Sequence, residues 1–301
     1  MDEDLKKFGI EETQVIKVQD DEDEPKEEDE ENEEEEEEEK KPKKKRTKRL
    51  SKVGMIFFRL IFVISVGVAA YSGINLYKGL KDYRESESAY TALASETKSE
   101  EKEVVEEETG TVYKYDTADF TSLAQINSDV AGWLSLQDTV INYPVVQGTD
   151  NEYYLEHLFT GELNHTGCIF IDYRNRKDFS DRNTALYAHH MRNGSMFAEL
   201  EGYRDQSYYD SHKELILQTP DGVYLVQPFA GLLADGSTDY IQFDFPTNES
   251  FMTYVNDMIA KSTFVSDVII DPTDRIITMS TCRYDVADGR YAVFAKLVKM
   301  N

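Results

Sequence analysis

The sequence predicts a mainly β fold: a closed or near-closed barrel with a few short helices over residues 113–301, preceded by a charged tail and one transmembrane helix. Three observations lead there. Short apolar runs, separated by turn residues and with few helical stretches among them, recur through the second half of the chain. One run, Ile56–Leu76, is long enough to cross a bilayer, for which about 20 apolar residues suffice. Ahead of it lies charge in blocks. No internal repeat appears.

The chain has 301 residues and a formal charge of −26, unevenly spread. Met1–Glu39 holds 22 acidic residues against four lysines, and Lys40–Arg49 holds eight basic residues and no acid. Such blocks, with almost no aromatics, bury no core, so residues 1–53 are expected to be a disordered cytoplasmic tail. A polybasic run beside a membrane favours anionic lipid. Ile56–Leu76 shows no polar face, which argues against a buried core helix, and its one charge, Arg59, is near enough to the end to reach the interface. A cleaved signal peptide ending at Val68-Ala-Ala70 is the rival reading, and a charged leader of fifty residues argues against it. Basic residues crowd the N-terminal flank, so residues 54–77 read as a signal anchor with the N-terminus in the cytoplasm and the remainder outside. Polar, acidic residues 78–112 then read as a partly helical stalk, with folding expected to begin near Thr111–Asp116.

In the exported domain, Phe120, Leu123 and Ile126 recur at helical spacing and predict a short helix. The lone Trp133 is expected in the core. Val140–Val146 reads as a strand with Pro144 at an edge or bulge. Asn151–Leu155 reads as a turn or short helix, and Gly167–Asp172 and Asn183–His189 as strands. His190–Ser195 is expected to form a loop before a helical turn, Met196–Leu200. Glu214–Gln218 and Val223–Phe229 make a hairpin around Pro220-Asp-Gly222. Apolar residues at 251, 252, 255, 258 and 259 mark a helix capped by Thr247 or Asn248. Val268-Ile-Ile270 leads into the strand Arg275–Cys282, and a loop joins that strand to Tyr291–Val298.

This last pair of strands sets a thiol, Cys282, beside a guanidinium, Arg290. A thiol attacks a carbonyl as thiolate and needs a basic or cationic neighbour. Of the five histidines, His189 ends an apolar strand and opens a polar loop, the position functional residues favour. Arg290 is a fork able to hold an oxygen as it gains negative charge. The two cysteines, Cys168 and Cys282, are open on these grounds to a disulfide or to one structural and one catalytic thiol.

Thr278-Met-Ser-Thr-Cys282 with Arg290 resembles the sortase signature, a Thr-Leu-x-Thr-Cys strand followed by an arginine, with Met279 in place of Leu. Tyr187-Ala-His-His-Met191 with Asn193-Gly-Ser-Met-Phe197 is similar to the histidine segment of class B sortases, with Ala188 where Gly is common. Asn127–Leu134, Ile141–Val146, Asp150–Leu155 and Phe170–Arg174 are similar to the same class, as is a helix ahead of the cysteine strand. The resemblance covers roughly residues 117–300. It implies a sortase-like barrel on the surface of a Gram-positive bacterium, and a cysteine transpeptidase that needs no metal and no cofactor. It further implies Cys282 as nucleophile, His189 as general acid/base and Arg290 as the residue that positions substrate and stabilises the oxyanion. The first histidine of the pair, not His190, matches the family's base. Ser280 and Thr281 are candidates for the substrate groove, with strand packing an equal explanation. The implied partners are surface proteins bearing an Asn-Pro-x-Thr-type sorting signal, a cell-wall amine from peptidoglycan precursor or stem peptide, and the membrane, but no nucleic acid.

His165-Thr-Gly-Cys-Ile169 superficially resembles the cysteine motif of L,D-transpeptidases, but Thr166 intervenes between His and Gly, and Phe170 stands where Arg is expected. Cys168 is therefore expected as a small buried residue, with both thiols free. Two alternatives remain: a cysteine enzyme acting directly on peptidoglycan, and a non-catalytic surface scaffold.

Overall fold

The computed structural model describes residues 52–105, 110–235, 239–282 and 289–300, with the backbone alone for Lys52 and Cys282. The charged tail and the loop 283–288 lie outside the described residues. The chain divides into two compact units at Phe58 and Arg59.

Helix α1, Lys52–Thr97, is 46 residues long. Its apolar part is long enough to cross a membrane and its side chains are exposed. The helix does not fade into a stalk. Ser86, Tyr90, Leu93 and Thr97 are all buried, and the Tyr90 hydroxyl donates to the carbonyl of Gly167 at 2.6 Å. Tyr90 and Leu93 belong to the main core. The folded body thus begins well before Thr111. A two-stranded antiparallel sheet follows, β1 (Lys98–Val105) with β2 (Val112–Ala118).

The helix at the head of the barrel, α2 (Phe120–Ile126), starts at Asp119, whose carboxylate accepts from the Thr121 and Ser122 amides. The barrel strands are β3 (Val130–Ser135), β4 (Asn142–Val146), β5 (Ile169–Ile171), β6 (Asn183–Tyr187), β7 (Leu215–Thr219), β8 (Gly222–Asp235), β9 (Arg275–Cys282) and β10 (Gly289–Lys299). They close in the order β10-β8-β7-β3-β4-β5-β6-β9, which leaves no edge within the barrel. The β4–β5 and β6–β9 pairs are parallel and the others antiparallel. Between β6 and β7 lie a 3-10 helix, Phe197–Arg204, and α3 (Gln206–Ser211).

Alternation sorts side chains to two faces. On β10, Tyr291, Val293, Ala295 and Leu297 point into the barrel with Leu134, Ile171, Leu186 and Met279, while Trp133, next to Leu134 on β3, is buried on the opposite face, with Lys98 Nζ 5.1 Å from its ring centroid. Ala292 and Phe294 point outward beneath α4 (Asn248–Ala260), which covers them with Phe251, Tyr254, Val255 and Met258. Buried on both faces, β10 reads as a continuous apolar run. Thr247 caps α4 in a reciprocal arrangement with Ser250.

Several details differ from the sequence reading. Pro144 sits in an interior strand, tolerated because the β5 ladder begins only at Val145, past the proline; the bulge lies on the partner strand, β3. Val268–Ile270 is irregular. The β1–β2 ribbon and α3 carried no apolar pattern, because most of their residues are exposed or polar.

Candidate active site

The parallel β6–β9 ladder ends at the pair Tyr187 and Ser280. Two residues further along each strand stand His189 and Cys282, so equal steps in register bring both to the same end of the barrel. The pairing reaches past the ladder: the Ala188 amide donates to the Ser280 carbonyl at 3.4 Å, and Thr281 Oγ1 donates to the Ala188 carbonyl at 3.0 Å. From the other side, antiparallel β10 sets Arg290 directly opposite Cys282. Three positions separated by up to 101 residues in the chain therefore meet at one barrel end.

His189 is half-buried, with Nε2 2.7 Å from the carbonyl oxygen of Leu155. A carbonyl oxygen only accepts, so Nε2 is the donor in that bond. The loop after it folds back through a bridge between His190 and Met196 and a bond from the Phe197 amide to the His189 carbonyl, 3.1 Å. Met196 takes φ +58°, a conformation unusual for a non-glycine residue. Arg290 is also half-buried. Its Nη1 donates to its neighbour's carbonyl, that of Gly289, and among the described residues it forms no ion pair with a carboxylate.

His189 and Arg290 border a cavity of about 230 Å³, walled by Leu155, Phe170, Ala188, Ser280 and Thr281, and by Asn151, Tyr187 and Tyr240. A larger cleft of about 850 Å³ runs beside α2 and the β7–β8 turn, but its lining holds neither cysteine nor histidine. Ser280 and Thr281 do wall the groove, yet both hydroxyls are engaged. Ser280 Oγ lies 2.7 Å from the Tyr240 hydroxyl, and Thr281 Oγ1 is held by Ala188. They shape the cavity by holding its frame.

The sequence reading assigned no role to Asn151, Asp172, Tyr187 or Tyr240. Asp172, just past β5, has a completely buried carboxylate. It accepts from Arg174 N and Nε at 2.9 Å each and Nη2 at 2.8 Å, and from Asn151 Nδ2 and the Tyr187 hydroxyl at 3.0 Å each. Burial pushes its carboxyl up, but the bonds from Arg174, Asn151 and Tyr187 outweigh that and hold it below the usual carboxylate range. Burial, together with the charge of Asp172, raises Tyr187 well above the ordinary phenol. Asp172 and Tyr187 lay inside segments that carried the family resemblance, but burial of the acid, which sets it apart from a solvated one, has no sequence signal.

Cys168 is a free, buried thiol outside this cavity, its Sγ 3.6 Å from the Pro144 carbonyl. Burial pushes it up to about 12, the reverse of what a nucleophile needs. The remaining histidines are accounted for elsewhere. His157 stacks on Tyr153, His212 on Tyr208, and exposed His165 faces Glu156.

A family model described as the sortase domain matches residues 134–298. Sortase B of Listeria monocytogenes is 39% identical over 180 residues, 58% of this chain and 72% of that protein. Sortase B of Staphylococcus aureus is 38% identical over 184 residues, 60% of this chain and 75% of that protein. Among solved structures, an S. aureus sortase B–substrate complex superposes with TM-score 0.58 at 38% identity, covering 60% of this chain and 85% of that one. Sortase B from Bacillus anthracis in complex with AAEK1 superposes with TM-score 0.63 at 34% identity, covering 73% and 99%. With a family model over more than half its length and relatives of one class on both sequence and fold, the chain belongs to the sortases, as a class B member, and is a cysteine transpeptidase.

Proposed function

We propose that the protein is a membrane-anchored enzyme that cleaves a C-terminal sorting signal, of Asn-Pro-x-Thr type, and joins the carrier protein to a cell-wall amine. Cys282 Sγ, as thiolate, attacks the threonine carbonyl carbon; a C–S bond forms and the C–N bond to the leaving segment breaks. His189 gives its proton to the departing amine. The incoming amine then attacks the thioester, His189 takes its proton, and the thiolate of Cys282 leaves. Arg290 holds the carbonyl oxygen in each tetrahedral state. Residues 54–77 anchor the chain, with the N-terminus in the cytoplasm and the catalytic body outside.

The observation that carries this reading is the register that draws His189, Cys282 and Arg290 to one end of the barrel, beside a cavity of about 230 Å³. S. aureus sortase B has been solved as a substrate complex, and a sortase B has been solved with triglycine, which supports a peptide donor and an amine acceptor.

The test uses the full chain in detergent micelles, incubated with sorting-signal peptides and an amine acceptor. Mass spectrometry is expected to find an acyl adduct on Cys282 that Cys282→Ala abolishes. An adduct on Cys168 would overturn the assignment.

A further inference from the structure

We propose that Asp172 is a positioning residue for the transpeptidation, setting the hydrogen-bond polarity of two groups, Asn151 and Tyr187, that face the acyl-donor peptide in the cleft. The inference rests on the reading of that cleft as the acyl-transfer site.

An ionised carboxylate can only accept. The Tyr187 O–H is directed at Asp172 Oδ2, so the hydroxyl of this cavity-lining residue has only lone pairs left to offer a further partner. Asn151 Nδ2 gives one hydrogen to the same oxygen, while Asn151 Oδ1 accepts from the Tyr173 amide at 3.0 Å. Held at both ends, the amide cannot flip, and its second N–H is the donor left for the cavity. One wall thus offers a fixed acceptor and a fixed donor, the complement of a peptide group's N–H and C=O.

The far wall is tied to the same carboxylate. Arg174, bound side-on to Asp172, lies with its guanidinium 4.5 Å from the Phe243 ring. Phe243 belongs to the segment carrying Tyr240, whose hydroxyl meets Ser280. Asp172 itself does not line the cavity, so its effect on substrate passes through its neighbours.

The experiment measures peptide turnover by the full-length wild type, Asp172→Asn, Tyr187→Phe and the double variant in detergent micelles. Each single change is expected to raise KM about tenfold, the worth of one hydrogen bond to a charged group, with kcat within about threefold. The double variant is expected to match the single ones, because both changes remove one bond. A wild-type KM in Asp172→Asn, or a double effect equal to the product of the two, overturns the inference alone. If Asp172→Asn does not give a cooperative melt, Tyr187→Phe decides: a tenfold rise supports the inference and a wild-type KM overturns it. Failure of the wild type to turn over any peptide overturns the acyl-transfer reading and this inference with it.

Discussion

Cys168 lies against the Pro144 carbonyl, buried and pushed up to about 12, so it stays a thiol at neutral pH. Thiol titration of the native chain is expected to find one reactive cysteine, Cys282, and two after denaturation; labelling of Cys168 in the native protein would contradict its burial. Asp172 makes a second residue-scale prediction. Its folded carboxyl is held below the unfolded value, so its stabilising contribution is complete above the ordinary carboxylate range and lost as pH falls through the folded value. Acid unfolding below about pH 4 is therefore expected to be less steep in Asp172→Asn than in the wild type. Equal slopes would show that the carboxylate is not held low. His189 and Arg290 were legible as candidates because a strand end and a following strand start are visible in the pattern. Asp172 was not, since a buried acid with five donors has the same spelling as a solvated one.

Among the elements, the last four turns of α1 separate pattern from packing most clearly. The buried stripe is Ser86, Tyr90, Leu93 and Thr97, at steps of four, three and four, and two of its four members are polar. A hydrophobic count sees little there, which is why an acidic stalk was the natural reading. The serine and threonine close their own polar groups on the helix, to the Tyr83 and Leu93 carbonyls, and so become buriable. Leu93→Ala is expected to destabilise the folded body by about 2–5 kcal/mol, the usual range for a buried leucine. Thermal melts would check it, and an unchanged midpoint would restore the stalk. Helix α4 is the opposite case. Its cap Thr247 and the apolar spacing from Phe251 to Ile259 were both readable, because cap chemistry and amphipathic period are local signals.

On the scale of the whole molecule, the exposed apolar half of α1 argues for a lipid partner. Phe57, Phe58, Phe62, Val63 and Ile64 are each more than half exposed, a surface that water does not tolerate over so many turns. Full-length protein is expected to partition with detergent and to resist alkaline extraction from membranes, and a variant lacking residues 1–77 to be released. Protease added to intact cells is expected to digest the catalytic body and spare the tail. Recovery of full-length chain in the soluble fraction would remove the anchor from the proposal.

The sequence by itself determined most of the barrel's strands and helices, though neither β3 nor α3, together with the apolar span and the candidate residues of the proposed reactive set, because period, cap and residue type are carried by neighbours in the chain. The order of strands around the barrel it left open. Only the tertiary structure decided that β6 runs parallel to β9 and β10 antiparallel to it, so that His189, Cys282 and Arg290 share one end. The same packing decided that the end of α1 is core and that Asp172 is a hub. Those outcomes depend on contacts between segments tens of residues apart, whose energies come from burial and hydrogen-bond closure that no local pattern records.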